Sequence, residues 1–376
     1  MARTRGTEKG FPQNPVLALR ARELLSDLRQ LVVAERCRDA APKSAARVQT
    51  APDLAEAHDL MGTVAMRTGA LPIAESCFER AVAIGPATGT RLLNWGKALQ
   101  ALGEAAAAEK VLHRALLIRP DDPALLGPLG DAQLSQGREE EALRSFRRIL
   151  KKHPDDAYAA HMVSALTQSG TPDKTYVTRL FDDYADIFDA HLTGALNYRV
   201  PEALAAMVQR QRPSFGTALD IGCGTGLVAA ALQGATQQID GVDIAPNMIE
   251  KARSRALYRH LAAGDATEVM ATDPAFAGPY DLVLAADVFI YIGAIEELFA
   301  AITTRLTPGG ILAFSIETSG GKDIEIRASG RFAHAPHYIE RLSASHGLAL
   351  LETADHVIRL ENNQPISGAL YVLGRQ

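Results

Sequence analysis

The sequence predicts two domains of different class: an all-α helical repeat in its first half and an α/β domain on a mostly parallel sheet in its second. Two patterns carry that reading. Up to about residue 170, apolar residues recur at helical spacing and whole blocks repeat; beyond it, apolar strand-like runs alternate with helix-like stretches. A third observation is the glycine turn "DIGCGTG" at 220–226, set between an apolar run and an alanine-rich helix, where backbone can approach a ligand closely.

The composition narrows the function classes. A chain of 376 residues has room for two or three domains. A net charge of -5 argues against nucleic acid as the main partner, because neutralising phosphates needs a basic face. The basic, polar "MARTRGTEKG" reads as the start of a flexible arm over residues 1–15, and no apolar leader follows it. Nowhere do 18 apolar residues run together, so no membrane association and a cytoplasmic location are expected. Cys37, Cys77 and Cys223 lie far apart without CxxC spacing, which suits neither a disulfide framework nor a zinc site.

In the first half, a shift of 34 places Gly62 over Gly96 over Gly130. Gly69, Gly103 and Gly137 then coincide, as do Ala74, Ala108 and Ala142, and Pro86, Pro120 and Pro154. A larger slot holds Phe78, Leu112 and Phe146, and the next small slot holds Ala81 and Ala115, with Ile149 as the exception. Small residues let two helices approach, and proline ends the second. This pattern resembles the tetratricopeptide repeat. The repeat domain is expected over 16–169, with clear units at 55–88, 89–122 and 123–156. Residues 16–50 form a degenerate leading unit, with Arg47 where a small residue is expected, and 155–169 form a closing helix. The resemblance implies a concave face bearing Asp59, Thr63, Arg67, Asn94, Lys97 and Asp131, as a groove for a protein or peptide or as a plain solvated surface; self-association is a further use. With Gly127, Pro128 and Asp131 in the third unit, the Lys and Asn cluster that clamps a C-terminal carboxylate is missing.

After a turn-rich linker at 170–175, strands are expected at 217–222, 238–244, 280–286, 310–317 and 369–374. The glycine turn is not a P-loop, since no lysine follows Gly226, and it misses the dinucleotide fingerprint because Leu227 occupies the last glycine slot.

"LDIGCGTG" resembles motif I of the class I methyltransferases, and later segments agree in order and spacing over residues 176–376. The fold class is therefore an N-terminal all-α tetratricopeptide solenoid followed by an α/β Rossmann-like class I methyltransferase domain, with S-adenosylmethionine as cofactor. The resemblance implies that Asp220, Gly222, Cys223, Gly224 and Gly226 form the cofactor turn and that Asp243, in "IDGVDIAPNMIEKA", holds the ribose hydroxyls; a helix cap is the plain alternative. Ile244 and Met248 would flank the adenine or belong to the core, and Asp265 with Ala266 in "AAGDATEVM" would meet its amino group, Asp265 being otherwise a cap. "YDLVLAADVFIYIG" resembles motif IV, with Ala286, Asp287, Val288 and Phe289 in place of the Asn/Asp-Pro-Pro-aromatic run of amide and base methylators. Asp287 is expected beside the transferred methyl group, with Tyr291 near the acceptor.

Flanking segments supply the rest. Phe181, Tyr184 and Phe188 share a helical face, and in the resembling family such a helix is a lid, with Tyr184 over the cofactor. Tyr198 is expected at the acceptor and Arg199 at the methionine carboxylate, unless Arg199 is a surface charge. In "RASGRFAHAPHYIERLSASHGL", Arg331 and His334 are read as acceptor contacts and His334 and Tyr338 as catalytic, each with a core or surface role as the alternative. No metal is expected: methyl displacement needs none, and "HAPH" at 334–337 has no carboxylate close by. The whole arrangement resembles a bacterial group of methyltransferases containing tetratricopeptide repeats. Its expected acceptor is a protein, a peptide or a carrier-bound group held by the repeats. Two readings stay open beside it: a free small acid or amine with self-associating repeats, and an inactive scaffold, against which the intact cofactor set speaks.

Overall fold

The computed structural model describes residues 25–27, 30–31, 37–167, 174–186, 188–190, 192, 196–361 and 364–376. The expected N-terminal arm, the early part of the leading unit and linker residues 170–173 lie outside the described residues. The chain divides into two compact units, Met1–Pro154 and Asp155–Gln376.

In the first unit, helices Ala55–Arg67 and Leu71–Ile84, Gly89–Ala101 and Ala105–Ile118, and Pro123–Leu134 and Glu139–Lys152 form three antiparallel pairs, preceded by Cys37–Thr50. Both glycine registers have a physical cause. A Cβ at Gly62, Gly96 or Gly130 would stand 2.7, 2.9 or 2.6 Å from the side chain of Phe78, Leu112 or Phe146, so each pair closes only around glycine. Gly69, Gly103 and Gly137 have φ of 78°, 81° and 73°, and the same pair of backbone bonds ends the first helix each time, for example Ala70 N–H to Ala65 O at 2.8 Å. Arg47 is buried with only Thr50 as a side-chain partner among the described residues.

In the second unit, strands β1 (Phe215–Ile221), β2 (Thr236–Asp243), β3 (His260–Ala263), β4 (Tyr280–Ala285) and β5 (Leu306–Thr318) are parallel in the order β3-β2-β1-β4-β5. A small hairpin, β6 (Ile324–Ile326) with β7 (Phe332–His334), extends the end of β5. The long antiparallel hairpin β8 (Leu348–Glu361) and β9 (Gln364–Arg375) continues the sheet from the other edge of β5. The sheet is thus mixed. Strand order reverses between β1 and β4, which places a crevice at their carboxyl ends. Apolar clusters cover both faces, one around Phe289, Phe299 and Phe314 and one around Leu204, Val208 and Leu284.

The division falls earlier than the expected boundary at 170–175. The helix Ala157–Thr167 continues the repeat pattern as the expected closing helix and falls within the second compact unit. Asp156 caps it by accepting from Ala159 N–H at 2.8 Å. Tyr158 donates its hydroxyl to Ala328 O at 3.1 Å, His161 Nε2 meets Gly330 O at 2.8 Å, and the His161 ring stacks on Tyr176 at 4.6 Å. The repeat period identifies a helix there but carries no information about which surface buries its apolar side.

A fragment starting at Asp155 should therefore fold cooperatively, whereas one starting at Tyr176 loses buried His161 and its docking. The shorter fragment should melt about 5 °C or more lower by circular dichroism. Equal midpoints would show that the helix contributes nothing to the second unit.

Candidate active site

At the end of β1, Gly222, Gly224 and Gly226 have φ of 63°, 52° and 95°, a left-handed run that other residues adopt only with strain. Glycine is also required sterically, since a Cβ on Gly222 would lie 2.4 Å from Val288. Asp243, at the end of β2, braces the turn: its Oδ2 accepts from Gly224 N–H at 2.8 Å and its Oδ1 from Ala245 N–H at 2.9 Å. Burial pushes its carboxyl up to about 6, against the pull of those two N–H groups. Asp220 is fully buried, accepts from the Tyr258 hydroxyl at 2.7 Å through Oδ2, and has no partner at Oδ1. Burial raises it to about 7, with the Asp243 charge adding to the shift.

This donor set fits S-adenosylmethionine. The buried Asp220 Oδ1 is an acceptor in want of a donor, the turn admits only glycine, and each Asp243 oxygen keeps a second lone pair for a hydroxyl. Ile244 is half-buried beside Asp243. The Cys223 side chain packs with Ile249 and Ala252, so only its backbone belongs to the turn.

The segment 174–190 crosses this turn. Asp182 accepts from Asn247 N–H at 2.9 Å, Lys251 pairs with Asp186 at 2.8 Å, and Asp189 accepts from Thr225 Oγ1 at 2.5 Å while pairing with Arg255. Phe188 lies 3.7 Å from where a Gly224 Cβ would be. Tyr184 packs edge-on to Phe188 at 5.4 Å, and Phe181 to Tyr291 at 5.0 Å. Met248 is fully buried with Ala185, Phe181 and Phe188, a core position beneath this segment rather than an open ligand face.

Beyond β4 a second polar cluster forms. Asp287 has φ of 60°, unusual for a residue with a side chain, and its N–H donates to Ser315 Oγ at 2.8 Å. Arg359, 3 % exposed, pairs with Glu317, with Glu361 at 2.9 Å and with Asp287 at 3.5 Å. Arg331 pairs with Glu361 and donates through Nε to the Tyr291 hydroxyl at 3.1 Å. Burial raises Asp287 and Glu317, while Arg359 and Arg331 pull both back. The buried Tyr198 phenol is raised by burial and feels the charges of Asp287, Arg359 and Asp220, which ties the two clusters together.

Several expected site residues lie elsewhere. His334 is fully buried, its Nε2 engages Gly293 O at 2.8 Å, burial lowers it, and its ring packs in the core against Tyr338. Tyr338 stacks on it and accepts from Ile295 N–H at 3.4 Å within the apolar cluster; it too is a core residue. Arg199 is exposed and pairs with Glu202 at 3.6 Å, the surface-charge alternative. Asp265, by contrast, stays beside the turn, because Gly264 N–H donates to Asp243 O at 2.8 Å; it also caps the helix Ala266–Thr272 by accepting from Glu268 N–H at 3.1 Å, and its other oxygen pairs with Lys174 at 3.1 Å. Ala266 opens that helix. His337 pairs with Asp323 at 2.6 Å, and among the described residues no group of three or more His, Cys, Asp or Glu could hold a metal ion. Arg359, Glu361 and Glu317 were not singled out from the sequence. Glu317 closes the strand expected at 310–317, and the alternation in "ADHVIRLE" was the available sign of β8.

Comparison with known proteins agrees with this geometry. Residues 219–312 match the family described as "Methyltransferase domain", and residues 99–166 match "Tetratricopeptide repeat". A malonyl-[acyl-carrier protein] O-methyltransferase of Methylovorus sp. (strain MP688) is 28% identical over 207 residues, 53% of this chain and 67% of the relative. Human methyltransferase-like protein 27 is 30% identical over 40% of this chain and 61% of its own length. The chain thus spans about two thirds or less of these curated relatives. Among solved structures, the magnesium protoporphyrin IX methyltransferase of Synechocystis PCC 6803 with bound SAH aligns at a TM-score of 0.41 and 16% identity, covering 54% of this chain and all of that one. No helix among the described residues is long and apolar enough to cross a membrane.

Asp243→Ala should weaken S-adenosylmethionine binding by about 1–3 kcal/mol, the cost of buried donors left without an acceptor; unchanged affinity by calorimetry would remove Asp243 from the site. The raised carboxyls of Asp220 and Asp243 also give a pH dependence. Donors on the ligand favour the ionised carboxylates, so binding releases protons below the raised values near 7 and 6. Affinity should climb from pH 5.5 to 8 and then level off, and a flat profile would contradict the assignment.

Proposed function

We propose that this chain is a tetratricopeptide-repeat-containing class I S-adenosylmethionine-dependent methyltransferase whose methyl acceptor is carried on a protein, a peptide or a carrier recruited by the repeats. The observation that carries the reading is the convergence of the Asp243-braced turn and the Asp287 cluster at the carboxyl ends of β1, β2 and β4. When bound, S-adenosylmethionine supplies an electrophilic methyl group. Gly222 to Gly226, Asp220 and Asp243 would hold it. Phe181, Tyr184 and Phe188 cover the turn and exclude water, and their segment is tied down at Asp182, Asp186 and Asp189. Asp287, fixed in its strained conformation by Ser315, stands at the acceptor side with Tyr291 and Arg331.

A tethered acceptor is favoured by the repeats, a module that generally mediates protein contacts, and by a relative whose name specifies a carrier-bound acceptor. On the first helices of the repeats Lys97 is exposed and Asn94 and Thr63 are half-buried, which suits a groove. Asp59 suits it less, because its carboxylate is held by Arg91 of the next unit at 2.8 Å.

Labelled S-adenosylmethionine with a cell extract tests this reading. Removing residues 1–154 should lower transfer into the natural acceptor by about tenfold or more, because capture at high effective concentration is lost, while cofactor affinity stays within about twofold. Lys97→Glu should reproduce part of that loss without unfolding, since an exposed charge contributes little to stability. Equal transfer without the repeats would point to a free small-molecule acceptor.

A further inference from the structure

The charge inventory of the Asp287 cluster names a substrate class. Two guanidinium groups, Arg331 and Arg359, face three carboxylates, Asp287, Glu317 and Glu361. The deep layer is matched, since Arg359 and Glu317 pair at 3% and 6% side-chain exposure. The cluster as a whole is not: Arg359 also faces Asp287 and Glu361, at 18% and 29% exposure, and Arg331 at 23% pairs with Glu361, so two guanidinium groups answer three carboxylates and one negative charge is in surplus. Both guanidinium groups already share Glu361 Oε1, and Arg331 also serves Tyr291. Asp287 Oδ1 accepts no hydrogen bond; it faces Arg359 Nη1 at 3.5 Å, itself a donor without a hydrogen bond.

Resting on the methyltransferase reading above, we infer that the acceptor is an amine that arrives as an ammonium group, with Asp287 as the carboxylate that takes its proton. An incoming carboxylate would add a further anion to a site that already holds one too many, and the buried guanidinium donor there without a hydrogen bond, Arg359 Nη1, already faces Asp287 Oδ1 at 3.5 Å. An ammonium group cancels the surplus and supplies the N–H donor that Asp287 Oδ1 lacks. The step balances: the ammonium proton passes to Asp287, the freed nitrogen lone pair forms the N–C bond, and the methyl–sulfur bond breaks with its electron pair left on sulfur. The product nitrogen is again cationic, and it faces the Asp287 carboxylate once that group has given up the proton it took. Asp287 returns its proton to solvent.

The full chain with tritiated S-adenosylmethionine and a cell extract tests this inference through the chemistry of the label. The expected label survives mild alkali and disappears when the amines of the extract are acetylated beforehand. Label released by alkali as volatile methanol marks a methyl ester; it would overturn the amine inference and leave the methyltransferase reading standing. An alkali-stable label that persists after acetylation overturns the inference too, through a hydroxyl or carbon acceptor. No label in any extract, with no cofactor binding by calorimetry, would end both. A second measurement needs no turnover: butylammonium chloride should raise the thermal midpoint of the full chain more than sodium butyrate at equal ionic strength, and Asp287→Asn should erase the difference. A larger shift with butyrate contradicts the inference.

Discussion

The Asp243 carboxylate, bonded at once to Gly224 N–H and Ala245 N–H, is the constraint on which the rest of the site depends. It joins the ends of β1 and β2 across the turn and fixes three glycines in a left-handed run that has no other support from side chains of its own. Because β1 sits at the switch point of the sheet, the same turn faces β4 on its other side, and Val288 fills the space a Gly222 side chain would need. The turn therefore sets the distance between the cofactor cradle and Asp287. Any looseness at Asp243 would be felt at both.

The covering segment and the Asp287 cluster share an anchor. Helix Ala157–Thr167 bonds Ala328 O and Gly330 O through Tyr158 and His161, and Gly330, with φ of 75°, directly precedes Arg331. The same His161 ring stacks on Tyr176 at the start of the covering segment, whose Phe181 packs on Tyr291, the hydrogen-bond partner of Arg331. One helix, through its Tyr158 and buried His161, thus orients the loop that carries Arg331 and the helix that covers the glycine turn. Its place in the second unit follows from these contacts.

What the sequence made legible was whatever depends on backbone geometry at fixed spacing. Gly62, Gly96 and Gly130 are visible because a ring or leucine side chain in the partner helix forbids anything larger, and Gly222 to Gly226 because the turn needs positive φ. Asp243 follows from its place after a strand. Long-range electrostatics were illegible. Arg359 and Glu361 reach Asp287 only because a late antiparallel hairpin brings residues some 70 positions away beside β4 and β5, as the numbering shows. His334 and Tyr338 misled for the converse reason: chemically capable side chains on a small strand and helix point into the core, where His334 meets a backbone carbonyl. The plain alternative also describes Asp265, a cap, and Arg199, a surface ion pair.

The cost of this arrangement explains its logic. Asp220, Asp243 and Asp287 are three carboxylates raised by burial, of which Asp287 has a cationic partner in Arg359 while Asp220 and Asp243 have only hydroxyl and backbone N–H donors, so ionising them in the unliganded domain is costly. Such groups lower stability as pH rises through their ordinary range toward their raised values, since the unfolded chain ionises first. On the assignment proposed above, ligands return what solvent lost: hydroxyl and ammonium donors at Asp220 and Asp243, and a positive acceptor at Asp287. A domain built this way is stabilised by its ligands through mass action, and its covering segment closes over a site that is electrostatically complete only when filled. The ties of that segment at Asp182, Asp186 and Asp189 run to the cradle's own helix and turn, so what steadies the turn also steadies its cover.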